Sequence, residues 1–405
     1  MTWPSIAFPE TVRKSHVGRV NQIPSSEIKP TGRFPVVDQG QSFISGYSDD
    51  ERRVINSDLP LIIFGDHTRV VKFVDFPFIL GADGTKVLKP REDMFDARFF
   101  SFALLNLDIP SRGYNRHFTL LKERRVPRPQ LPEQRKIAGV LGVVQSAMEQ
   151  QERLMALTEE LKKTLLHQLF TKGLRGEPQK QTEIGPIPES WDVVNLGSLA
   201  RKISKGSSPR WQGFEYVPQG VLFVRSQNVG DGRMDFTDKV FLSPTFNKQE
   251  KRSILKDEDI LINLVGASIG RVALGTPEIE GANCNQAVGF VRLDCRRSFK
   301  EFLVSFLLSP GGQQQMFFQK KDIVRANLSL LDLKTFKMPV PTPEESEQIA
   351  EVFSHIETKL AIHLQRHGTL TALFRTLLHQ LMTAQLRVHD LDLPELEATL
   401  VKGNP

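Results

Sequence analysis

One stretch of the chain has the residue spacing of a hydrolase nucleophile. Gly266-Ala267-Ser268-Ile269-Gly270 matches the Gly-x-Ser-x-Gly pattern, in which a serine on a sharp turn between a strand and a helix attacks a carbonyl carbon. The residues after the motif, Arg271 to Pro277, are instead typical of a second strand that ends in a turn. The motif therefore lacks the helix that this chemistry requires, and we predict no catalytic serine.

Two other patterns could indicate phosphate or metal binding. Gly81 to Lys86 is rich in glycine, but it lacks the spacing of a P-loop and is more typical of a β-turn. His363 and His367 lie four positions apart, and the sequence places no cysteine or carboxylate that would complete a metal site with them. The (N/D)PP(Y/F) motif that adenine methyl transfer would need does not occur. We therefore predict no catalytic residue, no metal ligand and no cofactor bound by this chain.

An internal duplication is the most informative feature of the sequence. The six residues Thr164 to Leu169 recur unchanged as Thr376 to Leu381, 212 positions later in a chain of 405. The same spacing relates further identical residues from Asn115 and Asn327 as far as Arg175 and Arg387. Solenoid and propeller repeats have periods of roughly 20 to 50 residues, so the repeating unit here is a whole domain plus a helix. The sequence predicts two similar halves related by a pseudo-twofold axis.

Each half of the duplication contains one long predicted helix. Prolines precede both helices, and apolar residues then recur at helical spacing over residues 133–172 and 344–384. The two apolar stripes comprise Val140, Val144, Ala147, Leu154, Leu161 and Leu165, and then Ile356, Leu360, Leu370, Phe374, Leu377 and Leu381. A single amphipathic helix would pack on its own domain, whereas two helices of equal length favour packing on each other. We expect an antiparallel coiled coil, with the two domains at its opposite ends.

The segments outside these helices predict strand-rich domains of the α+β class. Short apolar runs such as Leu61 to Phe64, Val221 to Val224 and Ile260 to Ile262 are bounded by Gly, Asp, Asn and Pro. The predicted organisation is a first domain over residues 1–130, a long helix over 131–175, a second domain over 176–337, a second long helix over 338–388 and a tail over 389–405.

Composition restricts the partners and the compartment. The net charge is +6, which is typical of a nucleic-acid-binding protein but also of an ordinary solvated basic surface. The chain has two cysteines and no apolar run of about 18 residues, which is the length that a membrane span needs. We expect an intracellular, cytoplasmic protein with no membrane segment.

These features together resemble the specificity subunits of type I restriction-modification systems. The resemblance rests on the Pro-x-Pro, Glu and Ile-Ala pattern ahead of each long helix, at 126–138 and 338–350, and on Gly185 to Trp191, which resembles the start of a second recognition domain. Residues 203–209 resemble the Gly-Ser-Ser-Pro turn that follows this start, and residues 62–69 and 81–84 are similar to a common type of first domain. The first 20 residues match such a start only loosely, so the beginning of the first domain is less well defined.

The resemblance implies a DNA-recognition subunit without a catalytic site of its own. Each domain would bind one half of a split, asymmetric target in double-stranded DNA, and the paired helices would hold the two domains at a fixed separation. Two methyltransferase subunits carrying S-adenosylmethionine would dock along the helices. Restriction subunits would add ATP- and Mg-dependent translocation and cleavage.

Base edges are read by side chains that present paired donors and acceptors, and such side chains occur in the predicted loops of both domains. The candidate DNA-binding residues are Arg69, Lys72, Lys86, Arg112, Tyr114, Asn115, Arg116 and His117 in the first domain, and Lys205, Arg210, Trp211, Arg225, Gln227, Asn228, Ser268, Arg271, Arg325 and Asn327 in the second. Asn115 and Asn327 share the 212-residue spacing and could instead be turn or capping residues.

A second hypothesis assigns the chain to a different class of protein. A coiled-coil scaffold or regulator that assembles other proteins would also contain two long helices. Two strand-rich domains whose polar loops differ favour DNA recognition over this alternative, because one scaffold with divergent loops suits two different targets. Sequence-specific DNA binding by the assembled complex would distinguish the two hypotheses.

Overall fold

Two long helices are the largest elements of the fold. The computed structural model describes residues 2–82, 84–111, 113, 115–317 and 327–390. Its longest helices, Leu131–Lys172 and Pro343–Met382, confirm the two that the sequence predicts. The first ends at Gly173, whose φ of 62° is the left-handed conformation that terminates helices. The chain divides into a first unit of residues 1–152 and 365–405 and a second unit of residues 153–364.

The first unit combines ten strands with three short helices and parts of both long helices. Its strands are β1 (Ser5–Ala7), β2 (Val12–Arg13), β3 (Gln22–Ile23), β4 (Phe34–Val37), β5 (Gly46–Ser48), β6 (Leu61–Gly65), β7 (Val71–Val74), β8 (Ile79–Gly81), β9 (Thr85–Pro90) and β10 (Arg125–Pro127). Its helices are α1 (Phe8–Thr11), α2 (Ala97–Leu105), α3 (Phe118–Lys122) and the start of α4 (Leu131–Lys172). These counts refer to the described residues.

The second unit has the same mixed composition over its described residues. Its strands are β11 (Gln179–Thr182), β12 (Gly185–Pro188), β13 (Asp192–Asn195), β14 (Ala200–Lys205), β15 (Val221–Val224), β16 (Phe241–Leu242), β17 (Ile260–Asn263), β18 (Val272–Leu274), β19 (Asn283–Cys284), β20 (Val288–Leu293) and β21 (Lys337–Val340). Its helices are α5 (Leu196–Leu199), α6 (Pro244–Gln249), α7 (Arg297–Leu308), α8 (Pro310–Phe317), α9 (Leu330–Thr335) and most of α10 (Pro343–Met382).

Both units are built on the same sheet. In the first unit an antiparallel sheet has the order β2-β9-β6-β7, and in the second the order is β14-β20-β17-β18. Strand pair β1-β10 in the first unit matches pair β13-β21 in the second, and each pair ends just ahead of a long helix. The duplication detected in the helices therefore extends to the strands, where few residues are identical.

The matching strand pairs also locate the start of the first domain. Ser5 pairs with Pro127, and Val193 pairs with Pro339, the residue that repeats Pro127. This register places Trp3 at the position that Trp191 occupies in the second unit. The loosely matching N-terminal segment therefore contains the tryptophan that the sequence pattern did not reveal.

Phenylalanines form much of the core of the first unit. Phe99, Phe100 and Phe102 on α2 are at most 2% exposed and pack in one cluster with Leu378 and Leu381 of α10. Burying a side chain of this size contributes about 1.5–3 kcal/mol, so α2 attaches the sheet firmly to the helices.

An aromatic cluster has the same role in the second unit. The ring of Phe170, near the end of α4, lies 5.2 Å from Phe302 of α7 and 6.1 Å from Phe353 of α10. Trp191 is fully buried and lies 5.6 Å from Phe302. One cluster thus joins both long helices to the beginning of the domain.

The long helices run antiparallel within each unit. In the first unit Glu152 Oε1 lies 2.9 Å from Nε2 of His367, and in the second Lys162 pairs with Glu357. Within the second unit Phe170, eight residues after Lys162, lies against Phe353, four residues before Glu357, so the two helices run in opposite directions and the predicted antiparallel pairing is confirmed.

The prediction that Leu161 belongs to the buried apolar stripe is wrong. Leu161 is 50% exposed, whereas the side chain of its neighbour Lys162 is 12% exposed and faces α10. Val140 lies three heptads earlier and is 5% exposed. A straight helix drifts by about 20° per heptad relative to a 3.5-residue repeat, so a stripe drawn from Val140 leaves the contact surface by residue 161.

The predicted domain boundaries remain predictions, because the two units divide the chain within the long helices. The Gly- and Pro-rich segment 173–188 contains the antiparallel hairpin β11-β12. Its turn is tightened by a hydrogen bond from Thr182 Oγ1 to the carbonyl of Gly185.

Glu345 provides a test of how α10 is fixed in the second unit. Its Oε2 accepts a 2.9 Å hydrogen bond from Nε1 of Trp191, and its Oε1 accepts one of 3.0 Å from the backbone N–H of Leu174. Because hydrogen bonds to a buried charged group are strong, Glu345→Ala should lower the free energy of unfolding by about 3 kcal/mol. Urea unfolding followed by tryptophan fluorescence measures this change.

The neighbouring exposed carboxylate supplies the control. Glu344→Ala should change the free energy of unfolding by less than about 0.5 kcal/mol, because Glu344 is exposed. Equal midpoints for the two variants would contradict the role given to Glu345.

Candidate nucleic-acid interface

A buried aspartate organises the polar loops of the first unit. Asp66 follows β6 and is 3% exposed. Its backbone N–H donates to the carbonyl of Gly84, and its own carbonyl accepts the backbone N–H of His117, both at 2.7 Å. Its Oδ1 accepts the N–H of Phe118 at 2.8 Å. The turn 65–70, the strand start 84–86 and the segment 115–118 therefore form one rigid group, the first loop cluster.

Four predicted residues lie in the first loop cluster with their side chains at least partly exposed. Arg69 and Arg116 are exposed, and Arg69 Nη1 donates to the carbonyl of Ile109 at 2.8 Å. Lys86 is half-buried, 3.7 Å from Asp66 and 5.7 Å from the ring centroid of Phe118. The fourth residue, Asn115, is exposed. The sequence thus selected residues that the fold brings together.

Two predictions in the first unit are corrected. Lys72 is 4% exposed, and its Nζ donates to the carbonyl of Ser42 at 2.6 Å. Burial lowers the pKa of the Lys72 ammonium below its usual range, despite Asp38 at 3.7 Å. His117 is 1% exposed, and its Nδ1 lies 3.0 Å from the carbonyl of Asp66. Both side chains hold the fold together from inside and do not reach an interface.

A buried asparagine has the matching position in the second unit. Asn263 ends β17, is fully buried, and its Nδ2 donates to the carbonyl of Ser226 at 2.8 Å. The backbone of Val265 bridges to Asn327, and the N–H of Leu328 donates to the carbonyl of Leu264 at 2.8 Å. The turns 225–228 and 264–271 and the segment 327–328 therefore converge.

A fourth loop, residues 205–216, joins this group through the backbone. The N–H of Ser207 donates to the carbonyl of Cys284, and the N–H of Asn285 donates to the carbonyl of Val224. Residues 205–216, 225–228, 264–271 and 327–328 together form the second loop cluster. Lys205, Arg210 and Trp211 are exposed on it.

Asp238 pairs with two predicted residues. Arg225 Nη2 lies 2.9 Å from Asp238 Oδ2, and Gln227 Nε2 donates to the same oxygen at 2.6 Å. The Arg225 side chain is 18% exposed, whereas Gln227 is exposed. This carboxylate would have to release both side chains before they could bind DNA.

Asn228 is a further correction, since it is 3% exposed. Its Oδ1 accepts the N–H of Arg225 at 2.9 Å, and its Nδ2 donates to the carbonyls of Asp235 and Asp238. All of these partners are backbone groups of its own loop. Asn228 therefore shapes the loop and does not read a base.

The remaining predicted residues have mixed positions. Ser268 is half-buried in the turn 266–268, and Arg271 and Asn327 are exposed. The chain continues from this turn into β18, so Ser268 lies between two strands and not at a strand-to-helix elbow. Arg112, Tyr114 and Arg325 lie outside the described residues.

Sequence reasoning missed two cations beside loop 205–216. Gln212 Nε2 donates to Glu250 Oε1 at 2.8 Å, which places Lys251 and Arg252 next to the loop with both residues exposed. They follow α6 in the sequence, far from the predicted cluster, and only the Lys251-Arg252 charge pair could have indicated them.

The described part of the chain contains neither a candidate metal site nor a candidate membrane span. No group of three or more His, Cys, Asp or Glu side chains could hold a metal ion there. None of its helices combines the length and apolar character that crossing a membrane requires.

Known proteins similar to this chain include type I restriction enzyme specificity subunits. A profile of the Type I restriction modification DNA specificity domain matches residues 188–372. The putative type I restriction enzyme MjaX specificity subunit of Methanocaldococcus jannaschii is 26% identical over 273 residues, which cover 67% of this chain and 61% of that protein. The type I restriction enzyme EcoBI specificity subunit of Escherichia coli is 26% identical over 334 residues, covering 76% and 70% respectively. Residues 188–372 of this chain therefore match the family of type I restriction modification DNA specificity domains, and the chain is similar to specificity subunits over most of its length.

A solved structure supports the fold of this chain. The S subunit of the M. genitalium type I restriction-modification system superposes with a TM-score of 0.61 at 18% identity and covers 94% of this chain and 96% of that one. The α+β class with two long helices is thereby confirmed. The chain spans 61% and 63% of the lengths of two M. jannaschii specificity subunits that it matches.

The neighbours Gln227 and Asn228 provide a test of which side chain shapes the loop. Asn228→Ala removes three hydrogen bonds to backbone groups of the loop, so the free energy of unfolding should fall by about 2–4 kcal/mol. Gln227→Ala should change it by less than about 0.5 kcal/mol, because Gln227 is exposed. Urea unfolding of both variants measures the difference; similar losses of stability would show that Asn228 does not shape the loop.

Proposed function

We propose that this chain is the DNA-recognition subunit of a type I restriction-modification complex, with each unit binding one half of a split target. The observation that carries the proposal is one sheet built twice, β2-β9-β6-β7 and β14-β20-β17-β18, with different polar side chains on its loops. The family supports the same function. A scaffold that bound only proteins would not require two rigid loop clusters that differ in their cations.

The contacts of each loop cluster support direct recognition of DNA. Arg69 and Arg116 in the first cluster and Lys205 and Arg210 in the second are exposed cations on loops fixed by buried polar side chains. Arginine contacts guanine edges or phosphates, and lysine contacts phosphates, with little loss of order when the loop is already rigid. Among these four exposed cations, the first cluster has two arginines and the second has a lysine and an arginine, which suits two different half-sites.

The long helices are proposed to bind two methyltransferase subunits. Leu161 on α4 and Leu373 on α10 are related by the 212-residue repeat, and they are 50% and 45% exposed. Leu157 is 54% exposed one turn before Leu161. Exposed leucines repeated on both helices are typical of a docking surface used twice. Restriction subunits would join the complex and supply translocation and cleavage.

Catalysis and cofactors are assigned to those partners in this proposal. The methyltransferase subunits would bind S-adenosylmethionine, and the restriction subunits would bind ATP and Mg. This chain would contribute recognition without a catalytic site, acting on DNA in the cytoplasm.

Reconstitution tests the proposal. The purified chain alone should neither methylate nor cut DNA, and adding methyltransferase subunits encoded beside it should produce methylation at one split motif. Sequencing that detects methylated adenine measures the outcome. Methyl transfer by the chain alone, or methylation without sequence preference, would contradict the adaptor role.

A chimaera provides the matched control for reconstitution. When residues 1–125 are replaced by the first domain of another specificity subunit, one half of the motif should change and the other should persist. A simultaneous change in both halves would contradict independent recognition by the two units.

The docking surface has its own test. Leu161→Glu combined with Leu373→Glu should reduce co-purification of the methyltransferase at least tenfold, because two charges would be buried in the contact. Leu331→Glu is the matched control, since Leu331 is 69% exposed and belongs to α9, not to either long helix. Undiminished co-purification of the double variant would remove these leucines from the interface.

A further inference from the structure

Trp211 is exposed to an unusual degree. It is 91% exposed, while the other two tryptophans are held in place: Trp191 is fully buried, and Trp3 lies 3.6 Å beneath the guanidinium of Arg387. Large apolar rings are normally buried, and one presented singly on a surface is a candidate for a binding contact. Its indole has no role in the core of the second unit.

The turn that carries Trp211 is held rigidly. At Gly206 a side chain would fall 1.8 Å from the carbonyl oxygen of Cys284, so only glycine allows the loop to approach β19 this closely. Pro209 is buried, and Gly213 has a left-handed φ of 78°. The backbone that carries Trp211 is therefore held in one conformation, which keeps the indole on the surface.

Side chains on either side of Trp211 reinforce this frame. Gln212 Nε2 donates to Ser207 Oγ at 3.1 Å and to Glu250 Oε1 at 2.8 Å. The Oε1 of Gln212 accepts from Gln249 at 3.0 Å. Phe214 packs edge-on against Phe246, with ring centroids 5.2 Å apart. Exposure of the indole is thus maintained by packing on both sides of it.

The charges around this turn favour a polyanion as the partner. The loop 205–216 and the adjoining segment 249–252 carry four exposed cations, Lys205, Arg210, Lys251 and Arg252. Their acids are Glu215, which is exposed, and Glu250, which is 8% exposed and bonded to Gln212. An apolar pocket on another protein would not require this excess of positive charge, whereas the phosphates that flank a base step would.

We propose that Trp211 inserts into the DNA as a wedge and stacks on a base at an opened base step in the half-site bound by the second unit. The inference rests on the proposed function and adds the mode of contact. Rigid apolar side chains flanked by cations can unstack a step and bend the duplex, and a base presents its flat face to an aromatic ring. Opening is easiest at pyrimidine–purine steps, so this half-site would be selected partly by its deformability.

Fluorescence of the assembled complex tests the wedge. The chain and its methyltransferase subunits are mixed with a duplex holding the methylated motif, in which 2-aminopurine replaces one base at a time. In the wild type, 2-aminopurine emission should rise at one step of the half-site, and Trp211→Ala should abolish that rise. The variant should also bind the duplex roughly 5- to 100-fold more weakly, whereas Trp211→Phe should retain most of the affinity.

A control variant and three possible outcomes separate the wedge from other roles of Trp211. Leu331→Ala removes another exposed apolar side chain and should change neither affinity nor emission. An unchanged affinity and emission profile in Trp211→Ala would overturn the wedge. Loss of methyltransferase binding with intact DNA binding would overturn it in favour of a protein contact. If the wild-type complex itself fails to prefer the motif over a scrambled duplex, the proposed function falls together with the wedge.

Discussion

The packing of two long amphipathic helices is the constraint on which the rest of the structure depends. A helix of 42 residues gains little stability from intrinsic propensity and needs its apolar stripe covered. In each unit the other long helix covers part of the stripe, and phenylalanines of α2 or α7 cover more of it. Because Phe102 packs against Phe374, and Phe170 against Phe302, the sheet of each unit is attached to the same helices that cover one another. Duplication supplies this arrangement directly, since a second copy of the helix is a partner of matching length.

Rigid attachment of the loops follows from buried polar side chains at the ends of equivalent strands. Asp66 follows β6 and Asn263 ends β17, and each holds neighbouring loops through backbone groups. Burying such a group is unfavourable unless it is hydrogen-bonded, so each fixes its loops strongly while leaving their outer residues free to vary. A scaffold of this kind can change its target by changing exposed side chains alone. Lys72, His117 and Asn228 belong to the fixed part, although their residue types are those of DNA-binding side chains.

The sequence predicted what periodicity and repetition encode. Both long helices, the strands at 61–64 and 221–224 and the antiparallel pairing were recoverable, because the apolar spacing depends on local geometry. Which face of the helix a residue occupies was harder to predict. Leu161 was expected to face α10 but is exposed, and Lys162 faces α10 instead, because a straight helix drifts relative to a 3.5-residue repeat. Within the candidate site, the residue types could be chosen from the sequence, but which of those residues are buried could not be predicted. Asn228 and Gln227 are adjacent polar residues of one turn, and only their backbone partners show that one is enclosed. Lys251 and Arg252 were missed because the fold, and not the sequence, brings them to Trp211.

The two loop clusters differ in the side chains that they expose, and this difference bears on the proposed recognition of a split target. The described part of the first presents Arg69, Lys86, Asn115 and Arg116 around Asp66, a polar set suited to hydrogen bonds with base edges and phosphates. The second adds an exposed indole, on a loop whose backbone is held by glycine, proline and amide contacts. Hydrogen-bonding side chains discriminate by donor and acceptor patterns, whereas a rigid ring responds to how easily a step opens. In the proposed function, one scaffold would therefore recognise its two half-sites by different physical properties of DNA.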